Sequence, residues 1–215
     1  MYKTWIKRIL DIIIGILGLP FFLIALVIFG PIIKLTDKGP VFYNAKRIGK
    51  DGKLFKMFKF RTMYVDAPDI RLADGSTYNG EDDPRVTKIG RIMRATSVDE
   101  LPQILNILNG TMSLIGPRPD PPDWLDKYPE DIRVFLTVRP GLTGYNQAYF
   151  RNSADSDQKM YNDAYYAEHI TFLFDIKIFF KTILSVLEHK NIYREINEND
   201  NAINQIEEFK SRDKL

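Results

Sequence analysis

The sequence predicts a mainly helical α+β protein with an apolar helix near its N terminus. Three observations support this prediction: an uncharged apolar run, one strand–turn–strand pattern, and several segments in which apolar residues recur at helical spacing. A chain of 215 residues is long enough for one domain with a hydrophobic core. The absence of cysteine excludes a disulfide framework and a thiol nucleophile.

Basic residues are concentrated in the N-terminal third of the chain. Residues 1–63 contain 12 Lys and Arg against three Asp, whereas the rest of the chain contains 18 basic residues against 25 acidic ones. A basic segment beside an apolar run favours an anionic membrane surface as its partner. We therefore expect contact with membrane lipid and no nucleic-acid partner.

The apolar run covers residues 12–33, whose 22 positions carry no charge. This length is about what a helix needs to cross the hydrocarbon core of a bilayer. Basic residues on both sides favour a segment whose two ends lie at the same cytoplasmic surface. Pro20, preceded by Gly15 and Gly18, favours a bend. A straight spanning helix remains the alternative, because transmembrane helices tolerate proline.

The stretch GPVFYNAKRIGKDGKLFKMFKFRTM predicts a β-hairpin, because two aromatic-rich runs flank the tight-turn pair Asp51-Gly52. Lys59 and Arg61 lie at the end of the second run. We predict that both bind substrate. The alternative is a solvated strand edge protected by charge.

The stretch ATSVDELPQILNILNG begins with two adjacent acids, Asp99 and Glu100, and continues as an amphipathic helix that ends at Gly110. Two interpretations are open. The acids stabilise the start of the helix, with Ser97 and Glu100 forming a capping box, or they carry a reaction.

Three arginines close to stiff turns favour the catalytic interpretation. Arg94 lies just before the two acids, Arg118 stands between two prolines in TMSLIGPRPD, and Arg139 precedes a Pro-Gly turn in VRPGLTGYNQ. Because a guanidinium group matches paired phosphate oxygens, we predict that these arginines bind a polyanionic substrate.

The stretch AYYAEHITFLFDIKIFFKTILSVLEH predicts helix, either in the core or at the membrane interface. His169 and His189 lack a partner at ligand spacing and are expected at the surface. We expect residues 191–215 to form a polar tail, a loose helix without catalytic content.

Taken in this order, the motifs resemble those of the bacterial sugar transferases, the small monotopic polyprenyl-phosphate phosphoglycosyl transferases. The resemblance covers roughly residues 5–188. It is carried by KRILD before the apolar run, the hairpin stretch, DPRVTKIGRIMRATSVDELPQILNILNGTMSLIGPRP, VRPGLTGYNQ and YYAEHITFLFDIKI.

The resemblance implies an activity. The protein would transfer a sugar-1-phosphate from a UDP-sugar to polyprenyl (undecaprenyl) phosphate, releasing UMP, through a covalent aspartyl-phosphosugar intermediate. It would act at the cytoplasmic face of the inner or plasma membrane as a monotopic protein. Its product would initiate a membrane-linked glycan, such as a capsule, exopolysaccharide, O-antigen or glycoprotein glycan.

The resemblance also implies residue roles and boundaries. Asp99 and Glu100 correspond to a catalytic Asp-Glu dyad that holds Mg²⁺, and Arg118 and Arg139 fall in the family's Pro-Arg-Pro and Arg-Pro-Gly motifs. The implied organisation is a re-entrant membrane helix over 1–36, a catalytic domain over 37–190 and the tail over 191–215.

Two departures from the family pattern stand out. Many members have a Ser-Pro pair where this chain has Leu23 and Ile24, whereas its proline is Pro20. The segment after the Arg-Pro-Gly motif also differs, although Gln147 corresponds to a family glutamine and is predicted to bind substrate.

Two other classes of function are open: a metal-dependent nucleotide-sugar hydrolase and a non-enzymatic membrane adaptor. The sequence does not identify the sugar, which we expect residues 64–84 and 145–152 to determine. It also leaves the oligomeric state open, including a homodimer.

Overall fold

A computed structural model describes residues 1–72, 75, 77–150, 153–188 and 202–212. The helices are α1 Lys7–Asp37, α2 Lys88–Ala95, α3 Gln103–Asn109, α4 Tyr145–Tyr149, α5 Ser156–Glu168, α6 Phe172–Leu187 and α7 Ala202–Arg212. The strands are β1 Phe42–Ile48, β2 Leu54–Phe60, β3 Ser113–Ile115 and β4 Gly141–Thr143. The predicted α+β class with mostly helical content is confirmed.

Helix α1 is one continuous helix of 31 residues with Pro20 inside it. Together with a π-helical turn at Tyr2–Ile6, it is long and apolar enough to cross a membrane by length and composition. The helix continues through Pro20 without a break. The re-entrant path stays a prediction.

One face of α1 packs along the rest of the protein. Phe22, Ala25 and Ile33 are buried in a cluster with Phe60 of β2 and Ile104 of α3. The opposite face exposes large apolar side chains, among them Ile9, Ile13, Ile16, Leu17, Phe21, Ile24, Val27, Ile28 and Leu35. The helix therefore has one side in the core and an uncovered apolar side.

Gly15 and Gly18 allow α1 to approach α3 closely. A Cβ at Gly15 would lie 2.7 Å from a side-chain carbon of Leu108, and one at Gly18 would lie 2.7 Å from a side-chain carbon of Ile104. The glycines that we associated with a bend thus have a packing role, because a larger residue at either position would require the Leu108 or Ile104 side chain to move.

The predicted hairpin is confirmed. Strands β1 and β2 pair antiparallel from Phe42↔Phe60 to Ile48↔Leu54, and Asp51 and Gly52 both have positive φ in the turn. The side chain of Asn106 on α3 accepts a hydrogen bond from Phe58 N and donates one to Lys56 O. This amide completes hydrogen bonds at the edge of β2 and fixes that strand against α3.

A second sheet was not predicted. Strands β3 and β4 form a two-stranded parallel pair in which Ser113 is opposite Gly141 and Ile115 is opposite Thr143. Strands of three residues are too short to show a period-2 pattern. The pair joins the chain just before the Pro-Arg-Pro motif to the Arg-Pro-Gly motif.

The C-terminal apolar stretch is two helices rather than one. The chain leaves α5 at Glu168, and Thr171 caps α6 by accepting a hydrogen bond from Phe174 N. His169 is exposed, as predicted, and His189 lies outside the described residues. Helix α6 exposes an apolar face that includes Phe172, Leu173, Phe180, Ile183 and Leu184.

Part of the predicted polar tail is helical and packed. Ala202 and Ile206 of α7 are buried against Ile70 and Tyr78, two residues of the loop over 64–84. The described part of that loop therefore contributes to a small core of its own.

Candidate active site

The two adjacent acids lie in a 3₁₀ turn, Val98–Glu100, that precedes α3. Ser97 has φ of 57° and makes no side-chain cap hydrogen bond, and Pro102 occupies the N-cap position of α3. Ser97 therefore does not cap this turn through its side chain, and the capping-box alternative is wrong. Asp99 is only 3% exposed, so its carboxylate needs compensating partners.

Two cations supply this compensation. Lys59 Nζ lies 2.9 Å from Asp99 Oδ2 and 4.0 Å from Glu100 Oε1. Arg118 Nη2 donates to Glu100 Oε1 at 2.7 Å, which raises the pKa of Arg118 through the attraction of Glu100. The structure thus brings together four predicted site residues, with two negative and two positive charges.

Arg94 lies in the last turn of α2. Its guanidinium donates to Thr62 Oγ1 at 3.0 Å and to Asn79 Oδ1 at 3.1 Å. Ser97 N donates to the Arg94 carbonyl, so this arginine lies directly before the turn that carries the acids. Asn79 belongs to the loop over 64–84, which is thereby tied to the site.

The two arginine-bearing loops meet through their backbones. Gly116 N donates to Thr143 O, and Gly141 N donates to Pro117 O. A Cβ at Gly116 would lie 2.4 Å from Arg139 O, and one at Gly141 would lie 2.1 Å from Gly116 N. Such contacts with rigid backbone require glycine at both positions.

The guanidinium groups of these loops nevertheless lie at different ends of α3. Arg139 Nε donates to Gly110 O at 2.9 Å, at the C-terminal end of the helix. Ten residues separate Glu100 from Gly110, or about 15 Å along a helix. Arg139 is therefore not brought to the dyad with Arg118, although both were predicted to bind substrate.

Arg61 is also engaged elsewhere. Its guanidinium pairs with both carboxylate oxygens of Asp37 and donates to the carbonyls of Pro40 and Met63. The hydrogen bonds from Arg61 lower the pKa of Asp37 to about 2. Since the side chain of Arg61 is 7% exposed, this position supports a structural role at the end of α1 instead of the predicted substrate binding.

Gln147 lies beside the junction of the two loops. Its Oε1 is 2.9 Å from the place that a Cβ at Gly144 would occupy, and that Cβ would in turn touch Gly116 O. Both polar atoms of its amide are buried and make no hydrogen bond to a described residue, and the same holds for Gln103 Nε2 at the start of α3. Substrate binding by Gln147 stays a prediction.

A cavity of about 450 Å³ lies between α4, α5 and a 3₁₀ segment, Glu130–Thr137. Tyr145, Tyr161 and Tyr165 line it. Tyr145 belongs to the stretch 145–152, in which we expect sugar selection, and residues 151 and 152 lie outside the description. The cavity does not include the dyad.

Sequence reasoning missed the contacts that anchor the start of α1. Lys7 Nζ lies 2.6 Å from Asp175 Oδ2, and Asp175 Oδ1 accepts from the buried Tyr166 hydroxyl. Arg8 donates to the carbonyls of Ile107 and Leu108 at the end of α3. The quoted KRILD run was the available signal, but its partners are about 100 or more residues away in the chain.

Asp11, the last residue of that run, joins the same anchor. Its Oδ1 accepts hydrogen bonds from Ser113 Oγ and Leu114 N at the start of β3. The first turns of α1 are therefore bound to α3, β3 and α6.

The dyad fits the Mg²⁺ that the sequence implies. The described residues contain no group of three or more His, Asp or Glu side chains arranged to hold a metal. Asp99 and Glu100 nevertheless both lie close to one cationic atom, Lys59 Nζ. Mg²⁺ commonly binds one or two carboxylates and completes its shell with substrate phosphates and water. Asp99 and Glu100 are the residues that would hold the ion, and Mg²⁺ stays a prediction.

The chain is similar to known proteins over most of its length. The model of the bacterial sugar transferase family matches residues 2–189. The chain is 38% identical over 208 residues to an undecaprenyl-phosphate galactose phosphotransferase of Salmonella typhimurium. It is 38% identical over 202 residues to the exopolysaccharide production protein ExoY of Sinorhizobium fredii. It is 35% identical over 190 residues to a UDP-N-acetylgalactosamine-undecaprenyl-phosphate N-acetylgalactosaminephosphotransferase of Aeromonas hydrophila.

The chain therefore belongs to the bacterial sugar transferase family, as its motifs predicted. These alignments cover 89%, 87% and 86% of this chain. They cover 88% of ExoY but only 42% and 44% of the Salmonella and Aeromonas proteins, so this chain spans less than half the length of those two relatives. The Salmonella relative is named for galactose and the Aeromonas relative for N-acetylgalactosamine.

Proposed function

We propose that this protein transfers a sugar-1-phosphate from a UDP-sugar to polyprenyl phosphate, releasing UMP. The observation that supports this reaction best is the convergence of Lys59, Asp99, Glu100 and Arg118. It combines a nucleophilic carboxylate with cations suited to phosphate oxygens. The acceptor is undecaprenyl phosphate, which appears in the names of two relatives.

The first half of the reaction is attack by Asp99 on the phosphorus bonded to the sugar. An acyl-phosphate bond forms, the bond from this phosphorus to the bridging oxygen breaks, and UMP leaves with the electron pair. Donor phosphates compete with the carboxylates for Lys59 and Arg118, which frees Asp99 to react. Bound Mg²⁺ would neutralise charge on the diphosphate and on the leaving group.

The second half regenerates the enzyme. An oxygen of polyprenyl phosphate attacks the same phosphorus, the acyl-phosphate bond breaks, and the carboxylate of Asp99 is restored. Glu100 accepts the proton of the acceptor phosphate when that phosphate arrives protonated. The product is a sugar linked to the lipid through a diphosphate, which initiates assembly of a membrane-linked glycan such as an exopolysaccharide.

The N-terminal helix supports a monotopic arrangement. Its first turn is bound to Asp175 through Lys7, and its last turn is bound to Arg61 through Asp37. A straight helix of 31 residues is about 46 Å long, and spanning would separate its ends by the whole bilayer. Both ends of α1 bind the rest of the protein. We therefore place the exposed apolar face of α1 in the cytoplasmic leaflet, so that the helix enters and leaves the membrane on the same side.

The reaction is tested with purified enzyme and UDP-sugars, without acceptor. The covalent relay predicts one equivalent of UMP per chain, and mass spectrometry of acid-quenched enzyme should find phosphosugar on Asp99. Asp99→Asn should abolish turnover and Glu100→Gln should cripple it, while both remain folded. Normal turnover by Asp99→Asn would overturn the nucleophile assignment. Free sugar phosphate as product would indicate a hydrolase.

Topology is tested by exploiting the absence of cysteine from the chain. Single cysteines at the exposed positions Thr4 and Lys34 flank the membrane-facing part of α1. A membrane-impermeant maleimide should label both in inverted vesicles and neither in right-side-out vesicles. Labelling of the two positions from opposite sides would show that the helix spans the bilayer.

A further inference from the structure

A group of polar side chains that the proposed reaction does not use contacts the loop that carries Arg118. We call Lys159, Asp120, Asp163 and Tyr128 the Lys159 cluster. Lys159 Nζ on α5 lies 2.7 Å from Asp120 Oδ2 and 3.2 Å from Asp163 Oδ2. The hydroxyl of Tyr128 donates to Asp120 Oδ2 at 3.0 Å.

The cluster fixes the backbone next to Arg118. Lys159 Nζ also donates to the Arg118 carbonyl at 3.5 Å, and Ile48 N at the end of β1 donates to the Asp120 carbonyl at 2.9 Å. Asp120 is thus held at both its carboxylate and its carbonyl. Because Pro119 restricts the backbone between Arg118 and Asp120, holding Asp120 restricts the position of Arg118.

Burial of this cluster is costly. Asp163 is 1% exposed; Lys159 Nζ lies 3.2 Å from its Oδ2, whereas its Oδ1 makes no hydrogen bond within the described part of the chain. Burial raises the pKa of Asp163 to about 6, against the opposing attraction of Lys159. For Lys159, burial alone would lower the pKa, but the attraction of Asp120 and Asp163 outweighs it and raises the pKa.

Stability alone does not explain this arrangement. Well-packed apolar residues commonly replace a buried ion pair without loss of stability. What such residues cannot supply is a directed contact to the Asp120 carboxylate and the Arg118 carbonyl. Arg118 in turn donates to Glu100 Oε1, so the cluster is connected to the dyad through one side chain.

We propose that Lys159 is a positioning residue for sugar-phosphate transfer, which holds the Pro117–Pro119 loop so that the Arg118 guanidinium lies beside Glu100. This inference rests on the proposed function. Lys159 does not touch substrate and acts through Arg118 only. Its effect on the reaction should therefore disappear when the Arg118 side chain is removed.

The test is a double-mutant cycle with Lys159→Met and Arg118→Ala, scored by kcat and KM for the UDP-sugar. Lys159→Met should lower kcat/KM at least about tenfold. The loss should be distributed between a lower kcat and a higher KM in the same proportion as for Arg118→Ala. In the Arg118→Ala background, Lys159→Met should change kcat/KM less than about twofold. Lys159→Arg, which keeps the charge, should recover most of the activity.

Lys127→Met is the matched control, because Lys127 is exposed and its ammonium lies 3.7 Å from Asp123 at the surface. It should leave both constants unchanged. If Lys159→Met does not fold, Asp120→Asn enters the same cycle, since it removes the charge from Lys159's partner and keeps its shape. Equal losses in both Arg118 backgrounds, or no loss with Lys159→Met, would overturn the inference.

A binding measurement separates this inference from the proposed function. Calorimetric titration of UDP-sugar into Asp99→Asn enzyme needs no turnover, and Lys159→Met should weaken binding there only while Arg118 is present. If Asp99→Asn remains fully active, the proposed reaction fails. If Asp99→Asn is inactive but the Lys159 and Arg118 effects are independent in both assays, only the positioning role fails.

Discussion

The ammonium of Lys59 lies 2.9 Å from the carboxylate of Asp99, and this pair joins strand β2 to the turn that carries the two adjacent acids. The side chains are 19% and 5% exposed, so water screens the pair only weakly. In the proposed reaction this pair must open before Asp99 can attack. Lys59 compensates the resting carboxylate, and in the proposed reaction it would also receive a substrate phosphate.

The first prediction concerns this pair. Lys59→Met leaves a buried carboxylate unpaired and should lower the free energy of unfolding by about 3 kcal/mol. Adding Asp99→Asn should recover most of the lost free energy of unfolding, because the uncompensated charge is then removed. Urea unfolding in detergent measures both effects.

Lys56→Met on the same strand is the control. Lys56 is exposed and stands opposite Lys46 in the hairpin, so its removal should not destabilise the protein. An undiminished loss for Lys59→Met in the Asp99→Asn background would show that the pair is not the source of the effect.

The second prediction concerns Arg61. Since its guanidinium is occupied by Asp37, Arg61→Met should reduce stability by about 2 kcal/mol. Donor KM of the folded variant should change less than about twofold, in contrast to Arg118→Ala. Steady-state kinetics below the unfolding transition provide the comparison. A large rise in KM with unchanged stability would restore the substrate-binding role predicted from the sequence.

The third prediction concerns pH and Asp163. Its pKa rises from an ordinary 3.8 to about 6 through burial, so the folded protein binds this proton more tightly than the unfolded chain. Stability is therefore lost as pH rises through that window, by up to about 3 kcal/mol.

Asp163→Asn should remove this dependence. As the pH rises from about 4 to about 6, the unfolding midpoint of the wild-type protein should decrease relative to that of the variant. The exposed Asp126→Asn serves as control, with a pH profile parallel to wild type. If the pH profile of Asp163→Asn were also parallel to that of the wild type, Asp163 would not be the group whose protonation stabilises the folded protein.

The fourth prediction concerns the metal. Chelation with EDTA should stop UMP release, and excess Mg²⁺ should restore it, because two carboxylates cannot bind a diphosphate without further positive charge. Glu100→Gln should raise the Mg²⁺ concentration for half-maximal rate by about tenfold or more. Full activity of the wild-type enzyme in EDTA would exclude a metal requirement.

Features with a local cause could be predicted from the sequence. The hairpin follows from Asp51-Gly52, whose residues accept positive φ, and the end of α3 follows from Gly110, which also has positive φ. Family membership follows from ordered motifs. For the hairpin and the helix end, the physical cause lies in neighbouring residues, so no knowledge of distant contacts is required.

Arginine roles could not be separated in this way. Arg61, Arg118 and Arg139 all stand near stiff or extended backbone, and each was predicted to bind substrate. Only Arg118 pairs with the dyad, whereas Arg61 pairs with Asp37 and Arg139 with Gly110 O. A guanidinium takes whichever acceptor the fold brings near, and that acceptor is 24 residues away for Arg61 and 29 for Arg139.

By itself, the sequence determined that the protein is mainly helical with one hairpin, which run is apolar enough for a membrane, and to which family the chain belongs. Tertiary structure alone decided that Lys59 and Arg118 compensate those acids, that Lys159 supports the Arg118 loop, and that both ends of α1 bind one body. The reason is physical. Backbone conformation depends on neighbours within a few residues, whereas a buried charge depends on groups that become neighbours only when the chain has folded.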